Sequence, residues 1–282
     1  QSLTSRGQII KAAFIVYLIY IGASMVIQLI HEDSITSDYW IQLLYYGINL
    51  IFLMFSYILA FVIERIFDYV SNIRLVELSD TNMPLLQELS EIAPGTFQHS
   101  YQVSILATAA AMKIGADTQL VRTGALYHDI GKMLNPGFFT ENQGALNPHD
   151  MLPEQESARI IIEHVTEGVR LAEKYRLPKS IRDIILTHHG NSLVRYFYVQ
   201  AVNKYGEEHV NEADFRYPGP NPSTLEQAII MMADSVEAAS RSLKEHTEES
   251  ISQLVNRIID GQVADGAFND CPITDNAQEA QS

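Results

Sequence analysis

Two long stretches without charge constrain this chain more than any other feature. Between Ala12 and Ile63 the only Asp, Glu, Lys or Arg residues are Glu32, Asp33 and Asp38, which divide the segment into apolar runs at 12–30 and 41–63. The runs hold 19 and 23 residues, and roughly 20 residues of helix at about 1.5 Å each span a bilayer core. Both are apolar on every face, unlike the surface helices of soluble domains. A buried hairpin in a soluble core fits less well, and a signal peptide less still, because there are two runs and no small-residue cleavage pattern follows either. Arg6 and Lys11 precede the first run, Arg65 and Arg74 follow the second, and 31–40 has no Lys or Arg. By the positive-inside tendency both ends face the cytoplasm. Tyr17, Tyr20, Tyr39, Trp40, Tyr45 and Tyr46 are candidates for interfacial anchoring or for packing between the helices. The start at Gln1, without Met and almost directly before a span, suggests a piece of a longer polytopic protein.

The remainder reads as all-α. Residues 64–93 suit a juxtamembrane helical linker, with a short helix at 85–92 ended by Pro94-Gly95. Helical periodicity then recurs near 99–114, 118–130, 154–175, 179–189, 192–204, 224–241 and 247–260, and no stretch alternates as a strand would. The long loops at 137–153 and 210–224 are of a size that is often functional. Residues 1–63 are thus assigned as membrane anchor, 94–275 as the main domain and 276–282 as a flexible tail. Net charge is −15, with 4 basic and 7 acidic residues in 1–80 and 15 and 27 in the rest. So acidic a domain does not grip a nucleic-acid backbone through basic patches. One cysteine, Cys271, excludes an internal disulfide and a thiolate-rich zinc site.

Histidine and aspartate carry the chemistry, and the chain has nine histidines. Chance gives roughly 0.4 His-Asp dipeptides in a chain of this composition, so the two present, His128-Asp129 and His149-Asp150, decide little alone. Context decides more. His128-Asp129 ends an apolar helical run before Gly131 and Lys132, and His188-His189 ends another. Neighbours on a helix point about 100° apart, so each pair can address two positions around one metal or between two.

The ordered set His99, His128-Asp129, His164, His188-His189 and Asp234 resembles the HD-domain metal-dependent phosphohydrolases, in the form that holds two metals. More narrowly, PGTFQHS, YHDIGK, FFTENQ, NPHD, THHGNSLVRYFY, FRYPGPNPSTLEQAI and ADSVEAASRSL are similar to the seven-pass membrane HD phosphodiesterases that hydrolyse cyclic di-AMP. The resemblance implies two transmembrane helices followed by the HD helical fold, in a bacterial inner membrane with the HD domain facing the cytoplasm. It implies one metal held by His99, His128, Asp129 and Asp234, and a second by His164, His188 and His189 with Asp129 bridging. Imidazoles and carboxylates without thiolate suit iron or manganese better than Mg²⁺, and zinc also fits. Two such ions can share a water and clamp a phosphodiester, so the expected reaction is opening of cyclic di-AMP to linear 5′-pApA by a metal-bridging hydroxide. Asp129 and Lys132 would be the catalytic residues. Lys132 stands one turn past His128 if the helix continues, and would bind substrate phosphate as a point cation. Further expected partners are the lipid bilayer, an upstream sensor region and a second copy in a homo-oligomer, with no polymeric nucleic acid.

Other residues read as framework. His31, His209 and His246 fit surface positions, and His149-Asp150 fits loop structure near the site. Tyr196, Phe197 and Tyr198 suit core packing better than base stacking, Tyr217-Pro218-Gly219-Pro220 a rigid turn better than a substrate wall, and Glu245–Glu249 a solvated face. Two rival functions stand beside the main one. A cyclic di-GMP phosphodiesterase would carry Gly-Tyr-Pro soon after the His-His pair, whereas Gly190 leads into NSLVRYFY. A receptor that binds nucleotide without cleaving it would have lost a ligand, and none is lost.

Overall fold

The computed structural model describes residues 6–32, 37–66 and 70–272. The expected tail at 276–282 and part of the linker, 67–69, lie outside the described residues. The chain divides into compact units of residues 1–77 and 78–282.

In the first unit, α1 (Arg6–Glu32) and α2 (Ser37–Ile66) pack as a hairpin, and both are long and apolar enough to cross a membrane. Their aliphatic side chains point outward along most of the length, with Ile19 62% and Ile51 67% exposed. Polar groups are met internally, as apolar surroundings require. Ser24 Oγ donates to the Ile21 carbonyl at 3.0 Å, Ser56 Oγ to Leu53 at 2.8 Å, and Gln42 Nε2 to Tyr46 Oη at 2.8 Å. The Tyr20 and Tyr46 rings meet between the helices, centroids 5.7 Å apart, whereas Trp40 and Tyr45 are exposed.

α3 (Asn72–Leu78) ends at the boundary between the units, and in the second unit α4 (Pro84–Ile92) starts on proline, which suits a first helical turn. Leu85, Leu86 and Leu89 of α4 are buried, so this part of the expected linker packs into the domain. α5 (Pro94–Ile114) also starts on proline, five residues before the expected start, and stops where Gly115 turns left-handed at φ 74°. Its buried positions, Thr96, His99, Ser100, Val103, Ser104, Ala107 and Ala111, recur at helical spacing and are mostly small. That stripe admits α6 (Thr118–Tyr127) and α10 (Leu225–Ser240) closely. With Ile184 of α8 (Lys179–Thr187) they form the core, including Val121, Ala125, Ile229 and Ile230. α7 (Glu154–Lys174) lies against α8 and α9 (Arg195–Tyr205), and α11 (Glu248–Ala264) against α10. The loop 137–153 is built from short 3-10 turns, and among the described residues the one extended pairing is an isolated bridge between Leu193 and Arg216.

Candidate metal centre

Five helices deliver the site. α5 supplies His99, α7 supplies His164, α10 supplies Asp234, and the ends of α6 and α8 supply His128-Asp129 and His188-His189. The expected continuation of α6 to 130 does not occur. Asp129 leaves the helix at φ −106°, ψ 13°, and 130–134 forms a 3-10 turn. The cause is close packing. A Cβ at Gly131 would lie 1.8 Å from the His164 carbonyl oxygen and 2.5 Å from Gly168 N, so only glycine lets this turn rest on α7. The contact brings the Asp129 carboxylate beside His164.

The seven side chains form two groups that share Asp129, namely His99, His128, Asp129 and Asp234, and Asp129, His164, His188 and His189. In each group the ligand atoms lie within 4.8 Å of one another. His99 Nε2 is 2.8 Å from Asp234 Oδ1 and 3.4 Å from Asp129 Oδ2, and His128 Nε2 is 3.2 Å from Asp129 Oδ2. On the other side of Asp129, Oδ1 is 3.4 Å from His164 Nε2 and 3.6 Å from His188 Nε2. His189 is more open, its Nδ1 3.9 Å from Asp234 Oδ2 and its ring stacked on Tyr217 at 4.3 Å.

The orientation of the rings tests whether this donor set fits a cation. Nδ1 of His128, His164 and His188 each faces the carbonyl three residues earlier, at Ala125, Ile161 and Ile185. An Nδ1–H donated there leaves Nε2 as a bare lone pair. Yet His164 Nε2 and His188 Nε2 stand 3.1 Å apart, lone pair to lone pair, and buried His128 Nε2 and Asp129 Oδ1 have no hydrogen-bond partner. A buried cation resolves all of these contacts together. The two buried carboxylates also draw positive charge into the cluster. Burial opposes the charged form of His128, but the Asp129 and Asp234 carboxylates outweigh it and raise the group to about 10. Burial dominates at His188, which falls to about 4, and at His189, held well below its usual range with His188 adding repulsion. Burial opposes the ionised carboxylates, but His128 and the Lys132 ammonium hold Asp129 well below the usual range, and His128 and His99 do the same for Asp234.

Lys132 does not project one helical turn beyond His128. It folds back so that Nζ lies 2.6 Å from Asp129 Oδ2 and 3.0 Å from Glu141 Oε1. Burial opposes its charge, and these two carboxylates more than offset that. Glu141 is fixed in turn: Thr96 Oγ1 donates to it at 3.1 Å, Asn142 Oδ1 accepts from Thr96 N at 3.2 Å, and a Cβ at Gly95 would meet the Glu141 carbonyl at 1.9 Å. Lys132, Glu141, Tyr217 and Arg241 join His99, His164 and His189 around the adjoining cavity.

Sequence reasoning gave no role to Glu141, Glu237 or Arg241. Glu141 lies inside FFTENQ and Glu237 three residues after Asp234, one turn along the same helix, so proximity in sequence was the available signal. Tyr217 lines the cavity besides forming its turn. His149 stays out of the cluster, its Nε2 2.9 Å from the Phe138 carbonyl and its ring 4.8 Å from buried Phe197. Tyr196 is exposed, Tyr198 packs edge-on against Phe215, and His209 is exposed.

Known proteins share these features. The HD domain family matches residues 96–239, and the family described as 7TM receptor with intracellular HD hydrolase matches residues 1–71. Cyclic-di-AMP phosphodiesterase PgpH of Listeria monocytogenes serotype 1/2a (strain 10403S) is 47% identical over 212 residues, 75% of this chain and 29% of the relative. The protein of that name from Bacillus subtilis (strain 168) is 46% identical over 212 residues, 75% of this chain and 30% of the relative. This chain therefore spans about three-tenths of the length of these curated relatives. The crystal structure of the L. monocytogenes PgpH HD domain in complex with cyclic di-AMP superposes with a TM-score of 0.67 at 46% identity, covering 71% of this chain and 91% of that one. With two helices long and apolar enough to cross a membrane in the segment similar to the 7TM receptor family, and a helical unit that gathers the histidines and aspartates, the chain belongs to the HD domain family.

Proposed function

We propose that the chain is the membrane-proximal and enzymatic part of a phosphodiesterase that opens cyclic di-AMP to linear 5′-pApA. The observation that carries this reading is the convergence of imidazole lone pairs and two carboxylates around Asp129, with His164 Nε2 and His188 Nε2 3.1 Å apart. The metal ligands are assigned as His99, His128, Asp129 and Asp234 for one ion, and His164, His188, His189 and the shared Asp129 for the other. The donor set favours iron or manganese. Bound there, two such ions supply positive charge to a phosphodiester and acidify water.

The chain's own groups do the rest. Asp129 lies between the two sets of imidazoles and couples their positions. Lys132, aimed at the same cavity and steadied by Glu141, brings a fixed cation to a phosphate oxygen. Tyr217 holds the His189 ring and walls the cavity beside it. The enzymatic domain is assigned to 94–275, joined through 64–93 to an anchor at 1–63. The anchor lies multi-pass in a bacterial inner membrane with the domain on the cytoplasmic side, an orientation supported by Arg6, Lys11, Arg65 and Arg74 flanking the two runs.

The test uses the whole chain in detergent micelles with Mn²⁺ or Fe²⁺ and each cyclic dinucleotide in turn. Turnover of cyclic di-AMP is expected to exceed that of cyclic di-GMP, and Asp129→Ala to lower it by at least about 1000-fold, roughly 4 kcal/mol of barrier. Undiminished turnover in Asp129→Ala, or none in the parent, would overturn the assignment.

A further inference from the structure

The cluster's histidines are not anchored alike. His128, His164 and His188 each turn Nδ1 to a neutral backbone carbonyl of their own segment. His99 turns Nδ1 to the carboxylate of Glu237, 138 residues away, while its Nε2 faces Asp234. Glu237 is gripped by Arg241, whose Nη2 lies 2.7 Å from Oε2 and 2.9 Å from Oε1 and whose Nε lies 3.2 Å from Oε1. The fork holds both oxygens of the carboxylate, fixing its plane and its reach toward the imidazole. The two pockets also differ in charge. The one containing His99 has the carboxylates of Asp129 and Asp234 in its ligand set, with Glu237 directly behind His99 and Lys132 Nζ 2.6 Å from Asp129 Oδ2, whereas the set of His164, His188 and His189 has Asp129 as its carboxylate, with Asp234 Oδ2 3.9 Å from His189 Nδ1.

Building on the two-ion assignment above, we infer that Glu237, clamped by Arg241, is a positioning residue for His99 that makes the His99, His128, Asp129 and Asp234 pocket the tighter of the two for a divalent cation. A carboxylate behind a ligating imidazole fixes its tautomer and raises its basicity, and losing such a partner typically weakens metal affinity 10–100-fold. The inference concerns the order in which the pockets fill and makes no use of the nucleotide.

The whole chain in detergent micelles, stripped with a chelator, is titrated with Mn²⁺ alone and followed by calorimetry. The parent is expected to bind two ions in two separable steps. His164→Ala should remove the weaker step and leave the tighter, which identifies the pockets. Glu237→Gln should weaken the tighter step by roughly 10–100-fold and leave the weaker one in place, and Arg241→Gln should shift the same step by less. Metal-free melting, compared across the variants, reads any general loss of structure. If metal-free Glu237→Gln melts below the parent, Arg241→Gln decides. A Glu237→Gln change that moves neither step, moves the weaker one, or moves both equally would overturn the inference, as would an unmoved tighter step in Arg241→Gln. Two intact steps without any cleavage of cyclic di-AMP would instead count against the substrate reading alone.

Discussion

The hairpin of 6–66 and the unit that begins at Leu78 are both helical, and they dispose of their side chains in opposite ways. In the hairpin, Ile19, Ile51 and Phe52 face outward, and the polar groups of Ser24 and Ser56 turn back onto their own helices. In the second unit, Leu86, Tyr127 and Ile230 are fully buried, and so are groups as polar as His128 and Asp129. Helix content therefore says little about surroundings. A helix that hides its hydroxyls and shows its isoleucines suits hydrocarbon. A unit that buries ionisable groups together must compensate them with one another or with a cation.

The comparison is broken most severely by placing a charge on each surface. Ile51 and Tyr196 are similarly exposed, at 67% and 66%. Ile51→Lys is expected to cost about 3 kcal/mol of membrane insertion, and Tyr196→Lys to stay within about 0.5 kcal/mol. Membrane fractionation and thermal melting read the two, and if both substitutions are silent the hairpin does not meet lipid. Metal removal is next. Dialysis against a chelator should lower the stability of the second unit by about 2.7 kcal/mol for each ion lost, relative to free Mn²⁺ at 100 times that ion's dissociation constant, leaving the hairpin's helical signal in place. Gly131→Ala forces α7 and the turn after Asp129 apart, and we expect a loss of about 2 kcal/mol in melting together with weaker metal binding. Equal stability would show that the turn relaxes freely. The smallest effect belongs to Thr247→Ala. Thr247 and Ser250 cap α11 reciprocally, and their loss should cost about 1 kcal/mol without changing Mn²⁺ affinity.

Much of this was legible in the sequence because the signals are local. Apolar periodicity and the Gly, Pro and Asn residues between runs locate α7 and α10 to within about a residue at either end. The two spans are equally visible, although the helices, at 27 and 30 residues, outrun the apolar stretches that mark them. The seven metal-type residues stand out by order and motif, and the folded chain brings all seven together. What escaped depends on contacts distant in sequence. The early end of α6 follows from Gly131 meeting His164 and Gly168 on another helix. The fold of Lys132 toward Glu141 needs a loop latched to the start of α5 through Thr96 and Asn142. The pairing of His99 with Glu237 joins two helices whose crossing no local pattern encodes.

The anchoring of His128 and His188 bears on how this site can be dissected. Their Nδ1 groups face carbonyls in the final turns of α6 and α8, where the backbone has run out of amides to bond. Each ring is thus at once a donor to the centre and a partner for a carbonyl in the last turn of its helix. Alanine at either position removes both functions together and overstates the chemistry. Asparagine, able to bond the same carbonyl yet unable to mimic the imidazole's far nitrogen, is the replacement that would separate a frayed helix from an empty coordination position.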